Sequence, residues 1–238
     1  MTRSLVLSGV ALVASLVSTA TLVPTTAQAA DAAHPAVIEL FQSQGCSSCP
    51  PANANVMALS GRPDVLTLSF QVTYWDELGW KDTFDSPQYT ARQWDYAHAL
   101  HHPNVFTPQV VINGRADVVG VRGGEIEAAL ARADRGASGP TVAFAAGRVS
   151  IAGPAPGRPA DVWLVRYDPN IVQVAIGRGE NGGRTLPHKN VVHSLTRIGQ
   201  WSGAARSFEL PPAQAPGWKS AILVQAGPGG PILAAAKL

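Results

Sequence analysis

The spacing of apolar and polar residues changes character a little past the middle of the chain, and the two halves predict different architectures. In the first half, short apolar runs are separated by stretches long enough for helices. Residues 36–41 (AVIELF) are rich in strand formers, and residues 65–75 (VLTLSFQVTYW) alternate with period two for much of their length, the strongest strand pattern in the chain. Residues 52–59 read as a helix. Residues 86–100 read as a second, with Pro87 suited to the first helical position. Residues 109–112 form a strand, Asn113-Gly114 is a hairpin turn, and residues 115–119 return. A closing helix over 125–133 lies between Gly123-Gly124 and Gly136. From Pro140 onward the helical spacing disappears. Short strands are expected at 141–145, 149–151, 161–167, 171–176, 191–198, 206–210 and 220–225, split by Gly and Pro. Close spacing of this kind predicts a small antiparallel sandwich or barrel. The boundary falls near residues 135–140, which divides the mature chain into domains at 31–136 and 137–238.

Composition fits a folded chain: of 238 residues, 46% are hydrophobic and 14% charged. The net charge of +2 comes from scattered basic residues, which argues against a nucleic-acid footprint. The first thirty residues read as an export signal. Arg3 supplies the positive start, residues 5–17 the apolar stretch, and Ala27-Gln28-Ala29 the small residues a signal peptidase needs. The stretch is short for a membrane span of about 20 residues, although an uncleaved anchor is the alternative. Residues 1–30 are therefore expected to be a signal peptide, the mature protein to be periplasmic or secreted, and no span to remain after cleavage. That compartment permits disulfides.

The chain has two cysteines, Cys46 and Cys49, in Cys-Ser-Ser-Cys. A bridge over this spacing removes only about 2 kcal/mol of unfolded-chain entropy, against roughly 4 for a sixty-residue loop. Stability alone is a poor reason for it. A strand, a Gly turn and a Cys-x-x-Cys opening a helix instead suit reversible thiol chemistry, since a helix N-terminus favours thiolate at Cys46. Cys49, one turn on, is placed to resolve a mixed disulfide. Pro50-Pro51 removes amides from that first turn and weakens this stabilisation. Two alternatives stay open: a structural disulfide, and a metal site in which the cysteines join His98, His101 or His102. Haem attachment needs His after the second Cys, where Pro50 stands.

The order strand, Cys-x-x-Cys helix, strand, helix, Thr107-Pro108, strand, hairpin, strand, helix resembles the thioredoxin family. The fold class this implies is an α/β thioredoxin-like N-terminal domain with a helical insertion over residues 86–100, followed by a small antiparallel β-sandwich. The resemblance also implies that Pro108 is cis and lies against the cysteines, leaving the Thr107 backbone free to pair with substrate. More narrowly, Val37-Ile38-Glu39-Leu40-Phe41, Gln44-Gly45-Cys46-Ser47-Ser48-Cys49-Pro50-Pro51 and Tyr74-Trp75-Asp76-Glu77-Leu78-Gly79-Trp80-Lys81-Asp82 carry a further likeness. It continues through Arg92-Gln93, Thr107-Pro108-Gln109, Gly179-Glu180-Asn181-Gly182-Gly183 and Asn190-Val191-Val192. Through these the chain is similar to an exported family known as domain of unknown function 1223, which names no reaction.

Tyr74-Trp75-Asp76 ends the strong strand, where open α/β sheets place their ligand crevice. Asp76 is expected to take or relay the Cys49 proton, and Trp75 or Trp80 to wall the substrate. Equally, Asp76 caps the next turn and the tryptophans are core. Residues 179–190 read either as a strand connection or as a cover for the thiol cleft, with Arg184, His188 and His193 as its candidates. Two functions follow. One is a thiol–disulfide oxidoreductase with Cys46, Cys49 and Pro108 at its centre, acting on a thiol or disulfide substrate with a redox partner and no cofactor. The other is a non-catalytic binding or metal-handling protein on the same scaffold.

Overall fold

Nearly every expected element forms, but the strands pair differently from the pattern's suggestion. The computed structural model describes Met1, residues 29–137 and residues 139–238. The expected signal peptide thus lies almost wholly outside the described residues. Among those described, no helix is long and apolar enough to cross a membrane. The first half runs β1 (Ala36–Gln42), α1 (Cys49–Leu59), β2 (Val65–Gln71), α2 (Pro87–Ala99), β3 (Gln109–Ile112), β4 (Ala116–Val118) and α3 (Gly123–Arg132). The second half is all strand: β5 (Thr141–Ala145), β6 (Arg148–Ala152), β7 (Ala160–Asp168), β8 (Val172–Ala175), β9 (Thr185–His188), β10 (Val191–Trp201), β11 (Arg206–Glu209), β12 (Lys219–Gln225) and β13 (Ile232–Lys237).

Eight of these strands form one mixed sheet in the order β13-β12-β7-β10-β2-β1-β3-β4. β1 and β2 are parallel, β3 runs antiparallel to β1, and β10 joins parallel to β2 at Val191↔Ser69. That junction is short, and Asn190 secures it. Asn190 adopts φ +52°, a left-handed conformation that Asn tolerates. Its carbonyl accepts from the Ser69 amide at 2.9 Å, and its side chain donates to the Thr67 carbonyl at 2.9 Å and hydroxyl at 2.6 Å.

The expected thioredoxin-like α/β domain with a helical insertion and a separate small β-sandwich is therefore corrected. The protein is mostly β, built on one large mixed sheet with three α-helices among the described residues. Period-two alternation reveals a strand and its buried face, but it carries no information about which strand lies alongside. Among the described residues, only β11-β6-β5 and the β8-β9 ribbon stand apart from the main sheet. Two strands escaped the pattern. β9 contains Pro187 in what reads as a loop, and β13 is rich in alanine, a weak strand former.

Nor is α2 an insertion. Its Tyr89 and Tyr96 pack with Phe41, Leu68, Phe70, Val165, Val192 and Leu223 into a core drawn from both halves. The opposite face of β1 and β3 carries Ile38, Leu40 and Val110 against Ala52 and Val56 of α1 and Ile126 of α3. The three-stranded sheet covers the rest, with Val149, Ile151 and Phe208 against Val162, Leu164 and Ile222.

One charged pair sits inside the first core. Glu39 and Arg92 are 1% and 5% exposed. Their contacts are bidentate, at 2.6 Å from Nε and 2.8 Å from Nη2. The Tyr96 hydroxyl donates to Glu39 at 2.8 Å, and Gln225 of β12 accepts from Arg92 at 3.0 Å. A charge left alone in such a place is costly, whereas an apolar pair of similar volume is tolerated. Arg92→Met alone should cost about 3–5 kcal/mol in urea unfolding, and Glu39→Leu with Arg92→Met markedly less than the sum of the single changes. Additive losses would show that the pair is not coupled.

Candidate functional site

The cysteines lie where the buried strand β1 hands over to α1. After Gln42 the chain turns through Ser43, Gln44 and Gly45, and the Cys46 amide closes the turn onto the Ser43 carbonyl at 3.1 Å. Cys46 precedes the helix and Cys49 is its first residue. The two sulfurs are bonded, 2.18 Å apart, and the residues are 0% and 1% exposed. Pro50 and Pro51 occupy the first turn, and the Cys49 amide is spent on the Cys46 carbonyl at 3.2 Å. Few helix amides are thus left to stabilise a thiolate. The group beside the Cys46 sulfur is the Ser48 hydroxyl, at 3.3 Å.

Gln44 is the hub that fixes this turn. Its backbone amide donates to Asp82 at 2.7 Å. Its side-chain oxygen accepts from the Trp80 indole at 2.9 Å, and its side-chain nitrogen donates to the Thr83 hydroxyl at 2.8 Å. Its carbonyl accepts from the Asn181 side chain at 2.9 Å, and the same amide group reaches the Cys46 carbonyl at 2.9 Å. Next to it, Glu180 accepts from the Ser47 amide at 3.0 Å, and Arg184 holds the Asn181 oxygen at 2.6 Å. A loop from the second half of the chain therefore lies directly against the Cys46 side of the bridge.

The residues expected at the site divide into two groups. Trp75 stands between the motif and the proline loop. A side chain at Gly45 would meet its Cβ at 3.7 Å, and its indole donates to the Thr107 hydroxyl at 2.7 Å. The Thr107–Pro108 peptide is cis. Trp80 reaches the motif through Gln44. Asp76 is placed otherwise: its carboxylate accepts from the Asp82 amide at 3.2 Å and Lys81 at 2.7 Å. Burial pushes its pKa up, but hydrogen bonds with Asp85, Lys81 and the Asp82 amide outweigh that and hold it below the ordinary value. His102 pairs with Asp117 at 2.9 Å and His98 lies beside Trp94, at the far end of α2.

The acid joined to the motif is Asp82, which the sequence reading passed over along with Gln44, Glu180 and Asn181. All four lie inside the stretches that carry the family likeness. Nothing in their residue types distinguished them from ordinary loop polar groups. Asp82 is buried, and burial pushes its pKa up to about 7 against the hydrogen bonds from the Gln44 and Phe84 amides.

On the Cys49 side, a cavity of about 360 Å³ runs along α1. Cys49, Pro50, Met57, Leu186 and His188 are among its walls. His188 is 2% exposed, neither ring nitrogen has a partner, and burial brings its pKa down to about 4, so the ring is neutral. His193 is elsewhere, stacked on Trp218 at 4.2 Å.

Asp82 and His188 load the pH dependence of stability in opposite directions. Between about pH 4 and 7 the fold holds the Asp82 proton more tightly than the unfolded chain, so this group's contribution falls as pH rises. Between about pH 6.5 and 4 the fold refuses a proton on His188 that the unfolded chain accepts, so that contribution falls as pH drops. Relative to the wild type, Asp82→Asn should make stability climb more steeply from about pH 4.5 to about pH 6.5, and His188→Leu should make it climb less. Urea unfolding of the oxidised protein at both pH values checks this, and parallel profiles for all three proteins would refute it.

Comparison with known proteins places these features in a family. A family model described as a protein of unknown function, DUF1223, matches residues 37–225. The crystal structure of a structural-genomics target from Agrobacterium tumefaciens is 31% identical with a TM-score of 0.72, covering 89% of this chain and 96% of that one. HBP35 of Porphyromonas gingivalis is 12% identical with a TM-score of 0.51, covering 86% of this chain and 74% of that one, a likeness of fold alone. No curated protein matches the chain.

Proposed function

The chain belongs to the DUF1223 family of proteins of unknown function, and we propose that it is an exported thiol–disulfide exchange protein working in the periplasm or outside the cell. The observation that carries this reading is the Cys46–Cys49 bridge itself, set at the start of α1 directly after the buried strand β1. A loop this short contributes little as a staple, about 2 kcal/mol, so stability gives a weak reason for placing both cysteines here.

The exchange proceeds in two steps. A substrate thiolate attacks the Cys46 sulfur, the Cys46–Cys49 bond breaks, and Cys49 leaves as a thiolate. A second substrate thiolate then attacks the substrate sulfur of the mixed disulfide, releasing substrate disulfide and the Cys46 thiolate. Two substrate thiolates have become one disulfide, two electrons rest on the cysteine pair, and the two cysteine thiolates take up from solvent the protons that the substrate thiols released. A redox partner removes them, and the reverse sequence reduces a disulfide. In this scheme Thr107, Pro108 and Trp75 form the substrate wall and Trp80 supports it through Gln44. Asp76 acts at one remove, by holding the Asp82 amide. Because Glu180 and Asn181 cover the Cys46 side, exchange begins when that loop lifts.

A second reading has its own support: with both cysteines essentially unexposed, the bridge is static and locks the loop against α1. A redox titration separates the two. Exchange predicts a potential above about −300 mV and a mixed disulfide trapped on Cys46 in Cys49→Ala but absent from Cys46→Ala. A potential below about −300 mV with no trapped species would establish the static bridge. The covering loop gives a second check. Asn181→Ala leaves two buried carbonyls without their donor, a loss of about 1–3 kcal/mol, and should speed reduction by dithiothreitol at least about fivefold. An unchanged rate would mean that the loop does not gate the bridge.

A further inference from the structure

A second cavity, of about 450 Å³, lies where the two halves of the chain meet. Three arginines line it: Arg115 after β3, Arg135 after α3, and Arg158 before β7. No Asp or Glu is among its described lining residues, and Trp201, Pro140 and Leu233 supply apolar wall.

Arg135 is the unusual group. It is 8% exposed, and its one hydrogen bond runs from Nη2 to the Pro35 carbonyl at 2.8 Å. Its Nε and Nη1 atoms have no partner, and among the described residues it makes no ion pair. Burial lowers its pKa and the neighbouring Arg115 adds to this, against the opposing charges of Asp134 and Asp31. The neighbouring Asp134 is occupied elsewhere, accepting from the Gly136 amide at 2.9 Å and the Ala30 amide at 3.3 Å. Two other arginines are as deeply buried and make the contrast clear: Arg92 meets Glu39 in a bidentate pair, and Arg166 donates to the Ser220 hydroxyl and the Pro211 carbonyl, leaving no buried donor nitrogen idle. Arg115 and Arg158 each donate only to a backbone carbonyl, of Asp134 at 3.2 Å and of Ala226 at 3.0 Å. Their remaining donors are available to the cavity. A buried guanidinium with two idle donor nitrogens is costly, and an oxyanion is the partner whose geometry fits the fork.

We propose that this cavity binds a small organic oxyanion, a carboxylate or phosphate carried on an apolar body. The oxyanion takes the idle donors of Arg135 while Arg115 and Arg158 close over it, and the apolar body lies against Trp201 and Pro140. The site shares no residue with the disulfide motif, so it does not depend on the redox reading.

The test is calorimetric titration of the full chain with 1-naphthyl phosphate, 1-naphthoate and inorganic phosphate at matched ionic strength. The expected result is saturable binding of at least one naphthyl compound, one molecule per chain, at least about tenfold tighter than inorganic phosphate. Arg115→Gln and Arg158→Gln, both at exposed positions, should each weaken it at least about fivefold. Arg135→Met should abolish binding while leaving the melting temperature of the ligand-free protein equal or higher, since it removes an unmatched buried charge. If Arg135→Met fails to fold, the exposed pair still decides the matter. No saturable binding below about 5 mM, binding unchanged in the Arg115→Gln, Arg158→Gln double variant, or equal binding of inorganic phosphate would each overturn the assignment.

Discussion

A single buried ion pair holds the two halves of this protein to a common centre. Glu39 is on β1, Arg92 and Tyr96 are on α2, and Gln225 is on β12, near the far end of the chain. Charges this deep are costly unless their donors and acceptors are met, so the three elements are constrained together. β1 is also the strand that delivers the cysteine turn. Whatever fixes β1 against α2 therefore fixes the platform on which Cys46 and Cys49 stand. The short junction between β2 and β10, held by Asn190, makes the same link on the other side of β1.

The cysteine turn inherits this construction. Its supports come from three parts of the chain: the turn itself, residues 80–83 through Trp80, Asp82 and Thr83, and the Gly-rich loop through Glu180 and Asn181. Gln44 collects most of these bonds, and it does so with both backbone and side chain. A turn so fully bonded holds the bridge in one geometry. It also explains how a disulfide can be near a cavity on the Cys49 side and yet covered on the Cys46 side. The polar groups that stay unmatched are telling by comparison. Of the residues with unmatched buried atoms, which include Gln71, Tyr74, Gln93 and Trp163, His188 and Arg135 have idle nitrogens and each lines a cavity. In the same fold, buried polar groups such as Gln44, Asn181 and Arg92 are met several times over.

Much of the local structure was legible beforehand. The strand at residues 36–41, the two long helices and the Asn113-Gly114 hairpin appear where the pattern put them, because each depends on residues close in sequence. Asn113 and Gly114 do take left-handed conformations, at φ +49° and +59°, and a Cβ at Gly114 would clash with the Gly230 carbonyl. The cysteine pair was equally visible, since the Cys-x-x-Cys spacing is itself local. What failed was the fold class, a thioredoxin-like α/β domain with a helical insertion followed by a small sandwich. Strands β7, β10 and β12 look like the members of a small independent sheet, yet together with the unforeseen β13 they extend the first one.

The division between the two sources of information follows from range. Most of the secondary structure, the Asn113-Gly114 turn, the cysteine spacing and the family likeness are set by neighbours along the chain or by residue identity, and the sequence by itself determined them. The joining of β10 to β2, the pairing of Arg92 with Glu39 and the seating of Asn181 against Cys46 are contacts across 53 to 135 residues. Only the folded chain decides such contacts, because many alternative partners satisfy the same alternation, and burial with complete hydrogen bonding selects among them.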